Sequence, residues 1–326
     1  MRLPAGDLAY IHDVFLKEQP VSLLGCISPE ERSIATLQAM QSIGKVRAAM
    51  MVIEDPSDGF PDYSAQTSLK IDAQRVLLQR CGLGYEEIQA HLLANYDALH
   101  SSITPFEDED TVLLDITSLP KRYFCFFLKR LLASEGCRNL VVTYAEAAHY
   151  TSDHLSEDPM TCAALPGFQG PTDTTSQLAV SIGFESLNLD SFLDLYKQET
   201  KYVHFLLPFP PNGEFTRRTW CTLRQVVRNN DMRVQGRLSI IPAWDAELVY
   251  LCLSDIYTEG ELALAPYGPK PHTLGMTLFA VKNDVGIYYS QPKSYNPEYS
   301  RGVSEIRAYV VKWDGVACYD RPRLPL

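Results

Sequence analysis

The side chains in this sequence that could do chemistry gather where short apolar runs end. Val21 to Ile27 gives way to Ser28-Pro29-Glu30-Glu31-Arg32, and Thr111 to Ile116, which carries Asp115, leads through Thr117-Ser118-Leu119-Pro120 to Lys121. Leu140 to Tyr144 and Val285 to Tyr289 both end on a tyrosine. Leu178 to Ile182 leads to Glu185, and Leu262 to Pro266 leads through Tyr267-Gly268-Pro269 to Lys270. Lysine and arginine neutralise phosphate, tyrosines stack on a base, and carboxylates accept from ribose hydroxyls or base amines. The ligand-binding candidates are therefore Ser28, Arg32, Lys121, Tyr144, Gly268, Lys270 and Tyr289. If a reaction is catalysed, Asp115, Glu31 and Glu185 are the candidate general acids or bases.

Each candidate also has an ordinary structural role. Glu30 and Glu31 at a helix start suit the positive end of the helix dipole, while an arginine beside a strand end is shaped for bidentate phosphate contact. Asp115 is sharper, because a carboxylate in an apolar strand is costly to bury alone, and Lys121 just past the turn is a candidate partner. The familiar cofactor fingerprints are missing. No GxGxxG follows a strand, no GxxxxGK[ST] occurs, Ser28 and Ser33 lack a GxSxG elbow, and the seven histidines form no HExxH pair. No cofactor is identified beyond a nucleotide ligand, and no metal site is expected.

The elements that must position these residues follow from the spacing of apolar side chains. Short apolar runs at 21–27, 46–53, 111–116, 140–144, 178–182, 202–207, 236–241, 262–266 and 285–289 read as strands. Helical patterns stand between them, including the apolar stretches after Lys121 and Lys270, and a lead-in helix is read over residues 1–20. This alternation predicts an α/β, doubly wound, mainly parallel fold, arranged as two tandem Rossmann-like lobes. The N-terminal lobe is expected over 1–170, with two polar helices inserted at 67–100, and the C-terminal lobe over 171–326. Residues 145–176 carry Asp, Pro, Gly, Thr and Ser with little periodicity and read as a long loop. A last strand is expected near 306–312. In such sheets the ligand sits beyond the carboxyl ends of the strands, an edge that here also collects Glu54, Asp55, Trp244 and Asp245.

The two-lobe expectation is strengthened by an internal repeat. Ile27-Ser28-Pro29-Glu30 matches Ile182-Gly183-Phe184-Glu185, and Leu119-Pro120-Lys121 matches Gly268-Pro269-Lys270. Tyr144 to Tyr150 then matches Tyr289 to Tyr295 in spacing, all three pairs falling in the same order.

With 326 residues, 46% of them hydrophobic, the chain can bury a large core. A net charge of −11 disfavours extended nucleic-acid binding, which needs clustered Lys and Arg. No apolar run approaches the ~20 residues of a membrane span, and the N-terminal stretch lacks the basic and apolar pattern of a secretory signal, so a cytoplasmic location is expected. Eight dispersed cysteines without CxxC spacing read as reduced thiols.

The strand, the turn Tyr267-Gly268-Pro269-Lys270-Pro271, the apolar helix and the strand Val285 to Tyr289 together resemble the C-terminal nucleotide-sensing motif of CRISPR-associated Rossmann-fold (CARF) domains. The resemblance carries over residue by residue only at Gly268 and Lys270, and it covers about 262–290. It implies a cyclic oligonucleotide or similar nucleotide ligand. The chain as a whole resembles proteins of bacterial phage-defence loci, which implies a protein partner in a defence complex. Three functions follow as expectations: a non-enzymatic nucleotide sensor or regulatory subunit, favoured by the missing catalytic constellation; a nucleotide-processing hydrolase or transferase; and a structural adaptor.

Overall fold

The chain divides into two units, one formed by Met1–Asp158 with Lys293–Leu326 and the other by Pro159–Pro292. The computed structural model describes residues 3–17, 19–43, 46–56, 60–151, 154–170, 175–195, 202–209, 213–229 and 235–319. Unit 2 is therefore an insertion: the chain leaves unit 1 at Asp158 and re-enters it at Lys293. The expected division near residue 170 is corrected on both sides. What the sequence assigns to the end of the second lobe returns to the first sheet.

Unit 1 contains β1 (Ala5–Asp7), α1 (Leu8–Ile11), β2 (Val21–Ile27), α2 (Ala35–Ile43), β3 (Val46–Glu54), α3 (Pro61–Arg80), β4 (Glu86–His91), α4 (Tyr96–Glu107), β5 (Thr111–Asp115), α5 (Lys121–Ala133) and β6 (Asn139–Tyr150). The paired strand β7 (Ser156–Pro159) follows at the junction. Unit 2 then contains β8 (Ala163–Ala164), β9 (Gln177–Ser181), α6 (Leu189–Leu195), β10 (Tyr202–Phe209), α7 (Gly213–Asn229), β11 (Gln235–Pro242), α8 (Ala246–Ile256), β12 (Leu262–Pro266), α9 (Lys270–Asn283) and β13 (Gly286–Tyr289). Across the second junction come β14 (Pro292–Tyr295), paired with β7, then β15 (Ser300–Trp313) and β16 (Val316–Ala317) of unit 1.

Both units use one topology. The parallel strands of unit 1 lie in the order β4-β3-β2-β5-β6, and those of unit 2 in the order β11-β10-β9-β12-β13. In chain order within each unit, that is third, second, first, fourth, fifth. The fold is α/β and doubly wound, as the apolar runs predict, because strands buried on both faces need helices on both sides. Two of the three sequence matches fall on equivalent elements, the ends of the first strands and the turns after the fourth strands, whereas Tyr144 to Tyr150 lies within β6 and Tyr289 to Tyr295 runs from the end of β13 through β14. Each sheet closes with an antiparallel neighbour beside its fifth strand, β15 on β6 and β8 on β13.

Three expectations change. The second of the polar helices at 67–100 is instead strand β4 followed by α4, capped by the Asn95 side chain accepting from the Ala98 N–H. β4 carries polar Glu86, Glu87, Gln89 and His91 around Ile88 and Ala90 at the sheet edge, where a short exposed strand has little apolar signature. The loop expected at 145–176 begins as a continuation of β6 to Tyr150 and includes β7 and β8. The lead-in helix is a short strand, one helical turn and a π-helical turn at His12–Leu16.

Candidate functional site

In unit 1 the strand order reverses between β2 and β5, and the loops that follow these two strands flank the point where ligands bind in such sheets. Asp115 ends β5 at 2% exposure. A Cβ on Gly25 of β2 would lie 3.5 Å from the Asp115 Cβ, so the carboxylate stands beside a gap in the neighbouring strand. Its Oδ1 accepts from the Thr117 backbone N–H at 2.9 Å and from the Thr117 hydroxyl, while Thr117 Oγ1 accepts from the Ala145 N–H at 2.8 Å. One carboxylate oxygen thus ties the β5–α5 turn to β6. Ser118 crosses the reversal point, donating to the Cys26 carbonyl at 2.7 Å. Lys121 opens α5, immediately after Pro120, and is buried.

Arg32 lies in the 3₁₀ turn Glu31–Ile34 after β2 and is 3% exposed. Its Nε donates to Glu30 at 2.9 Å and Ser300 at 3.2 Å, Nη1 to Tyr144 Oη at 3.1 Å and the Ala145 carbonyl at 2.9 Å, and Nη2 to Glu30 at 2.8 Å. The cation also sits over the rings of Tyr144 and Tyr150, whose hydroxyls are 3.1 Å apart. Burial opposes the guanidinium charge, but Glu30 and the hydroxyls of Tyr144, Tyr150 and Tyr299 outweigh it and hold the Arg32 pKa well above its ordinary value. Burial pushes the Tyr150 and Tyr299 hydroxyls upward. Four of the five Arg32 N–H groups are thus engaged inside the unit, where Arg32 acts as a clasp, a role separate from the phosphate contact expected of it.

The clasp fastens the return segment. Ser300 donates to Glu30, the Gly302 N–H donates to Glu31 at 2.7 Å, and the Tyr299 ring meets Tyr150 with centroids 5.8 Å apart. Lys70 of α3 donates to the Pro297 carbonyl at 2.8 Å and pairs with Glu298 at 2.6 Å. The Phe60 N–H donates to Ser294 at 2.9 Å. Ser294 also bonds Asp55, whose carboxyl is pushed up to about 6 by burial, with the Ser294 hydroxyl working against the rise. Residues 294–302 thus drape the strand ends of β2 and β3. Ser28, at the centre, accepts from the Glu30 N–H at 3.2 Å.

The equivalent point of unit 2 is built differently. A Cβ on Gly183 would stand 2.2 Å from the Tyr267 carbonyl oxygen, and one on Gly268 would stand 2.0 Å from Ser181 Oγ. The loops after β9 and β12 touch backbone to backbone. Gly268 permits this close packing, a role separate from the anion cradle expected of it. Ser181 and His272 are both fully buried, with Ser181 Oγ 3.0 Å from His272 Nδ1 and His272 Nε2 3.0 Å from the Pro242 carbonyl. A carbonyl can only accept, so Nε2 carries the proton and Nδ1 accepts from Ser181. Sequence reasoning passes over this pair because Ser181 sits inside a strand. It joins β9, α9 and β11, and its burial denies a substrate access.

The other unit 2 candidates are scattered. Glu185 lies 3.8 Å from Arg218, Tyr289 packs on Tyr267 with ring centroids 5.3 Å apart, and Lys270 is half-buried at the start of α9. Asp245 is a helix cap, accepting from the Leu248 N–H at 2.8 Å, and Trp244 beside it is 40% exposed. The edge expected to gather all the candidates is divided: Ser28, Glu31, Arg32, Asp115, Lys121 and Tyr144 belong to unit 1, and Glu185, Gly268, Lys270 and Tyr289 to unit 2. Among the described residues, no group of three or more His, Cys, Asp or Glu could hold a metal ion. No helix among them is long and apolar enough to cross a membrane.

No protein-family model matches the chain, and no curated protein matches its sequence. Solved structures similar to it include the cytoplasmic domain of a prokaryotic cation chloride cotransporter, 9% identical over 85% of this chain and 98% of that one, with a TM-score of 0.26. Shikimate 5-dehydrogenase from Listeria monocytogenes, in complex with shikimate and NAD, is 8% identical over 75% and 86%, TM-score 0.23. Phosphoethanolamine N-methyltransferase 1 from Haemonchus contortus, in complex with phosphoethanolamine and S-adenosylhomocysteine, is 8% identical over 89% and 87%, TM-score 0.21. Likeness at this level transfers no function.

Proposed function

We propose that unit 1 binds a nucleotide or another small phosphorylated ligand at the strand ends around Asp115 and Lys121, and that the protein is a sensor or regulatory subunit. The observation that carries this reading is the presence of a buried carboxylate and a buried lysine at the two ends of one turn, at the reversal of strand order. Lys121 neutralises phosphate, Asp115 accepts from a ribose hydroxyl or base amine, and Arg32 keeps the roof in place. Because residues 294–302 lead directly from the inserted unit, a ligand that displaces them changes the chain at the junction with unit 2. The setting in a bacterial defence complex, with a protein partner, rests on the resemblance of the chain as a whole to proteins of phage-defence loci, and the nucleotide on the resemblance of 262–290 to CARF domains. In unit 2, Lys270 is the candidate for a separate, rival site.

The test is a panel of NAD, ATP and cyclic oligonucleotides added to the purified full chain, read by thermal shift and product analysis. Stabilisation without turnover, abolished by Lys121→Ala and kept in Lys270→Ala, is the expected result. Stabilisation abolished by Lys270→Ala alone moves the site to unit 2. Turnover lost in Asp115→Asn makes the protein a hydrolase or transferase, the second reading, which the burial of Asp115 at a strand end favours. Silence in both assays leaves the adaptor.

A further inference from the structure

The third strand of each unit forms the outer edge of its sheet, and the two edges differ in chemistry. β4 carries exposed Glu86 and Glu87, charges that discourage strand pairing. β11 pairs only with β10 among the described strands and exposes Leu238 at 41% and Ile240 at 60%. Ser239 touches Cys252 of α8 at 3.5 Å, so α8 covers the Ser239 side and the two exposed apolar residues face the other way. The right-handed crossover puts α7 on that second side. Trp220 and Val227 of α7, seven residues apart and so on one side of the helix, are 42% and 41% exposed.

We propose that β11 is a self-pairing edge through which two copies of this chain associate. A two-fold axis normal to the sheet pairs the strand antiparallel with itself and keeps each side chain on its own face. Centred on Ser239, it sets Leu238 opposite Ile240 of the second copy and Arg237 opposite Ile241. The exposed apolar residues cover each other, and no charge meets its own kind. A registry centred on Leu238 or Ile240 would instead leave one of the two facing Gly236 or Pro242.

The proposal is tested by sedimentation and light scattering of the full chain across a concentration series. A reversible dimer is expected, weakened at least about tenfold by Ile240→Glu, with an unchanged circular dichroism spectrum. Registry is read by mixing Leu238→Cys chains with Ile240→Cys chains, both with Cys81 and Cys221 replaced by serine. The mixture cross-links under mild oxidation and neither chain does so alone. A wild-type chain that stays monomeric overturns the proposal, as does a dimer untouched by Ile240→Glu. Should the glutamate variant misfold, the cysteine pair decides, and cross-linking no stronger in the mixture than in either chain alone counts against the registry and the edge.

Discussion

The reversal points of the two units are the same place in one topology, made from opposite materials. Aligning the first strands at Ile27 and Ile182 sets Asp115 of unit 1 against Ala265 of unit 2, and the unit 2 turn reaches its lysine one residue sooner. Unit 1 bridges its loops with side chains: the Ser118 hydroxyl, the Asp115 carboxylate and the Arg32 guanidinium. Unit 2 brings its loops together by leaving side chains out, at Gly183 and Gly268. A polar bridge holds groups that a ligand can recruit or displace, whereas a glycine contact fills the space itself. That difference is why the ligand is proposed for unit 1, although the resemblance in sequence lies in unit 2.

The largest expected effect therefore falls on unit 2. Gly183→Ala forces a methyl against the Tyr267 carbonyl, which is backbone and cannot swing away, and should destabilise that unit by about 3 kcal/mol or more. The matched change Ser28→Ala removes one hydrogen bond and should cost under about 1 kcal/mol. Urea unfolding of both variants checks the pair. Equal costs would mean that the two points are not built differently.

Arg32→Ala comes next, at about 3 kcal/mol, because it leaves the half-buried Glu30 carboxylate and the Tyr144 hydroxyl without their cation. Limited proteolysis should then cut within residues 294–302 while unit 2 stays resistant. Cleavage spread over both units would show that Arg32 supports the fold generally and is no clasp.

How much of this was legible in the sequence depends on the range of the interaction. The strands β2, β3, β5, β9 and β10 were readable to within a residue or two because fully buried strands need continuous apolar runs. The matches at Ser28 and Lys121 fell on equivalent elements because a repeated topology repeats its punctuation, while Tyr144 lies within β6 and Tyr289 ends β13. The insertion was not legible: β15 pairs with β6 from Ser300↔Tyr150 to Lys312↔Leu140, and nothing local to either strand names a partner so far along the chain. Gly268 was visible as a glycine, but whether it admits a phosphate or a neighbouring strand depends on Ser181, on another strand. Arg32 was visible as a cation beside a strand end, but its engagement inside the unit was not, since Ser300 and Tyr144 lie far along the chain.

A pH dependence should follow from Asp55 of unit 1. Its folded-state value of about 6 lies above the ordinary 3.8, so the folded chain holds the proton more tightly than the unfolded chain. Stability should fall as pH rises from about 4 to about 6, by on the order of 1–2 kcal/mol, and level off above. Asp55→Asn should flatten this slope. A slope that persists in Asp55→Asn would assign it to other carboxylates.

The finest test concerns the serine on each side of the comparison. Ser118→Ala loses a half-buried bond to the Cys26 carbonyl and should cost about 0.5–1 kcal/mol. Ser181→Ala should cost about 1 kcal/mol because it strips His272 Nδ1 of its donor in a fully buried site. The same change removes the atom that a Gly268 Cβ would strike at 2.0 Å, leaving the next neighbours at 3.1 Å. Gly268→Ala should therefore be better tolerated beside Ser181→Ala than alone, with a coupling of about 1 kcal/mol in a double-mutant cycle. No such coupling is expected between Ser118→Ala and Ser28→Ala, where side chains bridge the loops and no methyl is forced into a neighbour. Additivity at both points would mean that Gly268 is held by something other than the Ser181 contact, and the contrast between a bridged and a close-packed reversal point would fail on the unit 2 side.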